Sequence, residues 1–161
     1  MASTCKNKSC EKMFAYAYAG LRIILGLEFF YAGWLKLTTD WTAAGYLGAS
    51  TGPFADFFQS LAGNGLVDAL NAWGLLLIGL ALIFGVGVRL ASKFAIIMMV
   101  LYYFAQFEQN TAHGLIDQHV VYVFVFAMFA AGGGGKMFGL HNGAASSKFA
   151  KNNKWVRKCI E

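Results

Sequence analysis

Hydrophobic positions run along this chain in long blocks, broken by short polar stretches. Four blocks approach the roughly 20 apolar residues that a helix needs to cross a bilayer. They cover 13–37, 70–88, 91–107 and 116–135. The first is interrupted only by Arg22, Glu28 and Lys36. A soluble four-helix bundle carries a polar face along every helix. These blocks do not: Leu75 to Phe84 has no polar side chain, and Val120 to Ala131 has only a Tyr hydroxyl. The pattern predicts an all-α integral membrane four-helix bundle in one domain, 1–161, with tails 1–12 and 136–161.

The longest polar interval, Thr38 to Asn71, contains the turn signal Gly52-Pro53. Phe54, Phe57, Phe58 and Leu61 follow at helical spacing. That spacing predicts a short amphipathic helix at the interface within a long outer loop. The block at 13–37 has a basic start, but it is too long and too charged for a cleaved signal peptide and reads as a retained span.

Composition strengthens this reading. The chain is 58 % hydrophobic and 13 % charged, against about 25 % charged in an ordinary globular protein. The net charge of +5 is distributed by segment. Lys6, Lys8 and Lys12 outweigh Glu11. Asp40, Asp56 and Asp68 outweigh Lys36. Arg89 and Lys93 make the next loop positive, and Glu108 and Asp117 the one after it negative. Lys136, Lys148, Lys151, Lys154, Arg157 and Lys158 dominate the end. Sign alternation at each crossing places both termini in the cytoplasm and both acidic loops outside, in a multi-pass protein of the cell membrane. The same distribution assigns the basic residues to anionic lipid headgroups rather than to nucleic acid. Cys5, Cys10 and Cys159 fall on the cytoplasmic side, where thiols stay reduced, and are expected free.

Ionisable groups inside a span are costly and mark candidate sites. Arg22, Gly26, Phe29, Gly33 and Lys36 lie on one stripe of the first helix. Its glycines invite close approach by another helix. Snorkelling to the inner headgroups is the alternative for Arg22, and an interface anchor that for Lys36. Glu28 falls almost opposite Gly26. It is either protonated, paired with a neighbouring subunit or part of a proton path. Gln106, Glu108, Gln109, His113, Asp117, Gln118 and His119 gather at the outer side. Asp117 suits the N-cap of the fourth helix. His119, two residues further in, has the chemistry to hydrogen-bond a quinone carbonyl or relay a proton. Glu108, His113, Asp117 and His119 have no metal-site spacing, and no metal is expected.

The ordered set Arg22, Gly26, Gly33, Lys36, then 78–89 (IGLALIFGVGVR), then 116–122 (IDQHVVY) and 132–140 (GGGGKMFGL) resembles the DoxX/DoxD family over roughly residues 14–141. The resemblance implies a four-span bundle and, from the best-described members, a subunit of a thiosulfate:quinone oxidoreductase. The chain departs from the family pattern at Leu75, where many relatives have Glu, and at Val88, Lys136 and His141.

These readings lead to an expected role as a quinone-associated subunit of a membrane oxidoreductase complex. Arg22, Lys36 and Glu28 would bind the quinone, Asp117 and His119 would supply hydrogen bonds and protons, and Lys36 would favour negative charge on the ligand oxygens. The alternative is a non-catalytic accessory or scaffold subunit of a larger membrane enzyme, respiratory or monooxygenase in type. Expected partners are the lipid bilayer and either other subunits of a complex or further copies of this chain. A transporter fits less well, because no inverted repeat is present.

Overall fold

The computed structural model describes residues 8–112 and 114–132. Among the described residues seven helices follow in order: α1 (Lys8–Thr38), α2 (Ala44–Gly48), α3 (Ala55–Ser60), α4 (Gly65–Phe84), α5 (Val88–Ala105), α6 (Phe107–Thr111) and α7 (Gln118–Gly132). No strand occurs among the described residues, and the fold is all-α. Helices α1, α4 and α5 are long and apolar enough to cross a membrane. Helix α7 is apolar and has 15 residues, the last being the last described residue.

The helix ends follow local chemistry. The Asn64 side chain accepts a hydrogen bond from Leu66 N (3.0 Å) and caps α4, which therefore begins at Gly65, five residues before its apolar block. Gly85 and Gly87, at φ 70° and 66°, make the left-handed turn that reverses the chain between α4 and α5. Asp117 occupies the N-cap of α7 as expected. Its Oδ1 accepts from Val120 N at 3.1 Å.

The packing is pairwise. Helix α1 runs along α4, α7 runs along α5, and the α4–α5 hairpin joins the pairs. Contact between α1 and α4 is backbone to backbone. A Cβ on Gly33 would lie 2.4 Å from Leu76 N, and one on Gly79 would lie 2.3 Å from Phe30 N. No side chain fits there, and the absence of side chains lets the two helices touch. Leu25, Phe29, Leu75, Ile78, Leu82, Met99, Phe126 and Phe129 form the core between the pairs. Phe29 and Phe126 meet edge to face at 5.2 Å. Large apolar side chains such as Ile24, Leu27, Trp73, Leu77, Phe94, Ile97 and Phe124 point outward. Such a surface requires an apolar solvent.

The long loop after α1 folds over one end of the bundle. The expected helix is present as α3, with Phe58 buried and Phe54 and Phe57 exposed. Helix α2, which carries no comparable apolar periodicity, precedes it. Ala43, Leu47, Phe58 and Ala105 form a second apolar cluster flanked by Trp41, Leu61 and Val67. Polar bonds fix this cover. Asp68 of α4 accepts from Thr42 Oγ1 (2.8 Å) and from Ala43 N (2.9 Å). Gln106 Nε2 donates to the Tyr46 carbonyl at 2.8 Å.

Arg22 follows the inward stripe and not the snorkelling alternative: its side chain is fully buried in the bundle. One expectation changes. Cys10 is disulfide-bonded rather than a free thiol. Glu28, which helix geometry places away from the glycine stripe, accepts a hydrogen bond from Tyr122 of α7. The tail 136–161, with Lys136 and His141, and residue His113 lie outside the described residues.

Candidate functional site

Beneath the loop cover lies a cavity of about 480 Å³. Its walls come from α1, the loop, α4, α5 and α7. Phe29, Ala32, Leu47, Phe57, Phe58, Leu61, Val67, Leu75, Met99 and Ala105 supply apolar surface. Glu28, Lys36, Asn71, Tyr102, His119 and Tyr122 bring polar atoms to it. An apolar pocket with a few converging polar groups is the usual form of a small-molecule site.

Helix α1 contributes Glu28 and Lys36. Eight residues apart, they are about 12 Å distant along the axis, too far to pair with each other. Lys36 Nζ instead lies 3.3 Å from the centre of the Trp41 ring, a cation–π contact that holds the end of α1 against the loop. Tyr122 Oη of α7 donates to Glu28 Oε1 at 2.7 Å. One helical turn before Tyr122, His119 Nδ1 is hydrogen-bonded to Asp117 Oδ2. That contact fixes the ring and leaves Nε2 as its other polar atom. The Tyr102 ring packs edge-on against His119 at 6.0 Å. Tyr102 Oη accepts from Asn71 Nδ2 at 2.6 Å, and Asn71 Oδ1 is buried without a partner among the described residues.

Two groups on the loops feel this arrangement. Burial pushes the Asp117 carboxyl up. The hydrogen bonds from His119 and Val120 outweigh burial and hold it below its ordinary range. Burial raises the Tyr46 phenol, and the nearby negative charge of Asp117 raises it further.

The residues marked in the sequence are thus only partly brought together. Glu28, Lys36 and His119 line one cavity. Asp117 is beside it, bonded to His119. Arg22 is not among the lining residues. It is buried deeper in the bundle, with Tyr18 close enough to affect its electrostatics. No group of three metal-ligating side chains occurs among the described residues. Asn71, Tyr102, Tyr122 and Trp41 are members that the sequence did not reveal. The available signal was the presence of tyrosine hydroxyls inside apolar helices, since a buried phenol needs a partner.

The apolar helices and their outward side chains define a multi-pass membrane protein. The DoxX family model matches residues 17–107, more than half of the chain, and the protein belongs to the DoxX family. That match runs from residue 17, within α1, through α5 to the first residue of α6, and excludes His119 and Tyr122 of α7. No curated protein and no solved structure matches the chain.

Proposed function

We propose that the protein is a quinone-binding subunit of a membrane oxidoreductase complex, with the cavity as the quinone site. One observation carries the reading: apolar walls wide enough for a ring converge with hydrogen-bonding groups from opposite helices. Phe29, Leu75 and Met99 offer contacts for an apolar ring. Lys36 on α1 offers a donor, His119 Nε2 on α7 donates when the ring is protonated, and the Tyr122 hydroxyl donates once released from Glu28. The unpartnered Asn71 Oδ1 is an acceptor whose burial cost a bonded ligand would offset.

When bound, a quinone would supply a two-electron, two-proton acceptor for electrons delivered by a redox-active partner subunit. The chain's part is to hold the ring, exclude water and exchange protons. Asp117 orients His119 by taking its Nδ1 proton in a hydrogen bond, which makes Nε2 the atom that exchanges a proton at the cavity. The outer, acidic loop supplies or receives that proton through Asp117. Lys36 places positive charge where negative charge builds on a ligand oxygen. Arg22 takes a structural position in this account and has no contact with the ligand.

The test uses the protein in lipid nanodiscs, with Trp41 emission following the addition of decylubiquinone. His119→Ala and Lys36→Met should each weaken binding about tenfold, the loss of one hydrogen bond to a polar ligand group. Unchanged affinity in both variants rejects the site. Purification from native membranes as part of a large complex, with no quinone bound to this chain, favours the accessory role.

A further inference from the structure

The walls of the cavity are closed in different ways. Helices α1 and α4 touch through backbone at Gly33 and Gly79. Helices α5 and α7 lie against each other extensively. The end under the loop is sealed by Leu47, Phe58 and Ala105. Helices α4 and α5 share a tight turn and, beside the cavity, the bond between Asn71 and Tyr102, both at least half-buried.

The seam between α1 and α7 is different. The two helices have no comparable backbone packing and meet through long side chains. Deep in the seam, Phe29 fits between the Tyr122 and Phe126 rings. At the level of the cavity the polar link is the hydrogen bond from Tyr122 Oη to Glu28 Oε1, beside the edge-to-face contact of the Tyr122 and Phe29 rings. Glu28 is exposed, although it also lines the cavity. The carboxylate therefore stands where the cavity meets the apolar surroundings of the bundle.

We propose that the cavity takes its ligand from the bilayer: a ring-headed amphiphile enters between α1 and α7, displaces the Tyr122–Glu28 hydrogen bond, and leaves its apolar tail in that seam. The proposal rests on the reading of the cavity as a ligand site. The bond itself makes the entry selective. Opening it strips a carboxylate of its donor in an apolar setting, which is unfavourable if nothing replaces it. A polar headgroup replaces it, by donating to Glu28 or by accepting from the released Tyr122 hydroxyl. A lipid acyl chain does neither, so bulk lipid stays out.

The test follows entry rates by stopped-flow quenching of Trp41 in nanodiscs, in a background carrying Trp34→Phe, Trp73→Phe and Trp155→Phe. The tailed probe is decylubiquinone, and the untailed probe is 2,3-dimethoxy-5-methyl-1,4-benzoquinone. Tyr122→Phe removes the bond and keeps the ring. It should speed entry of the tailed probe about two- to tenfold, as the net strength of one hydrogen bond predicts, and leave the untailed probe unchanged. Glu28→Gln keeps an acceptor and should resemble the parent. Tyr102→Phe, which cuts the bond across α4 and α5, should not speed entry. An unchanged rate in Tyr122→Phe overturns the proposal. So does equal acceleration of both probes, or acceleration in Tyr102→Phe instead. If neither probe quenches Trp41, the quinone reading fails, and the seam is then judged with phosphatidylcholine brominated on its acyl chains. Stronger quenching of Trp41 by that lipid in Tyr122→Phe supports the seam as an entrance; equal quenching rejects it.

Discussion

Gly79 of α4 lies directly against the backbone of Phe30 in α1: a Cβ at Gly79 would be 2.3 Å from Phe30 N. That distance is far inside any allowed contact, and the opposing atom is backbone, which cannot rotate away. Gly79→Ala must therefore push α1 and α4 apart along their whole contact. The expected loss is about 1–3 kcal/mol or more, the range for an overpacked interior. Thermal unfolding in mild detergent should show it, and Gly20→Ala, where an added Cβ would meet no atom of another described segment within 4 Å, should not. Equal stability of the two variants would contradict the packing described above.

Asp117 joins the helix cap to the His119 ring. Asp117→Ala should lower stability at neutral pH by about 0.5–2 kcal/mol, the usual value of an N-cap. The sign of the pH dependence follows from the native carboxyl being held below its ordinary value. Its contribution is complete above the unfolded value of about 4 and fades as the pH falls through the lower native one. The gap in melting temperature between wild type and variant should thus be constant from pH 8 to 5 and shrink below about pH 4. A gap that widens in acid excludes this assignment.

Asp68 ties the loop to α4 through Thr42 and Ala43. Asp68→Ala leaves the Ala43 N–H without its acceptor and should cost about 1–3 kcal/mol. Because the bond holds the cover rather than the bundle, the effect should appear as faster protease cleavage within 39–64, with the melting of the spanning helices little changed. Cleavage at the wild-type rate would show that the cover is held elsewhere.

Asn71 offers a test that separates binding from folding. Asn71→Leu removes the bond to Tyr102, but it also removes a buried oxygen that has no partner among the described residues. The two changes oppose each other, and stability should stay within about 1 kcal/mol of wild type. Decylubiquinone affinity should nevertheless fall about tenfold if Oδ1 accepts from the ligand. Parallel loss of stability and affinity would assign Asn71 a structural role instead.

The sequence by itself determined the helical class, the apolar helices α1, α4 and α5, the loop helix at Phe54 to Leu61, the cap at Asp117 and the family. Each depends on spacing or composition within a single segment, where helix periodicity and the cost of polar groups in an apolar solvent act locally. The inward stripe through Gly26, Phe29 and Gly33 was legible for the same reason. What only the tertiary structure decided is which segments meet. Glu28 was read from one helix as facing away from the stripe, and its partner is Tyr122, almost a hundred residues later. Arg22 shares a stripe with Lys36, but the stripe is longer than the cavity, so one cation reaches it and the other is buried below. Asn71, Tyr102 and Trp41 are ordinary residues in their own segments and come to line one cavity only where α4, α5 and the loop converge. Periodicity specifies the face of a helix, whereas the partner of that face is set by packing between helices, which no single segment records.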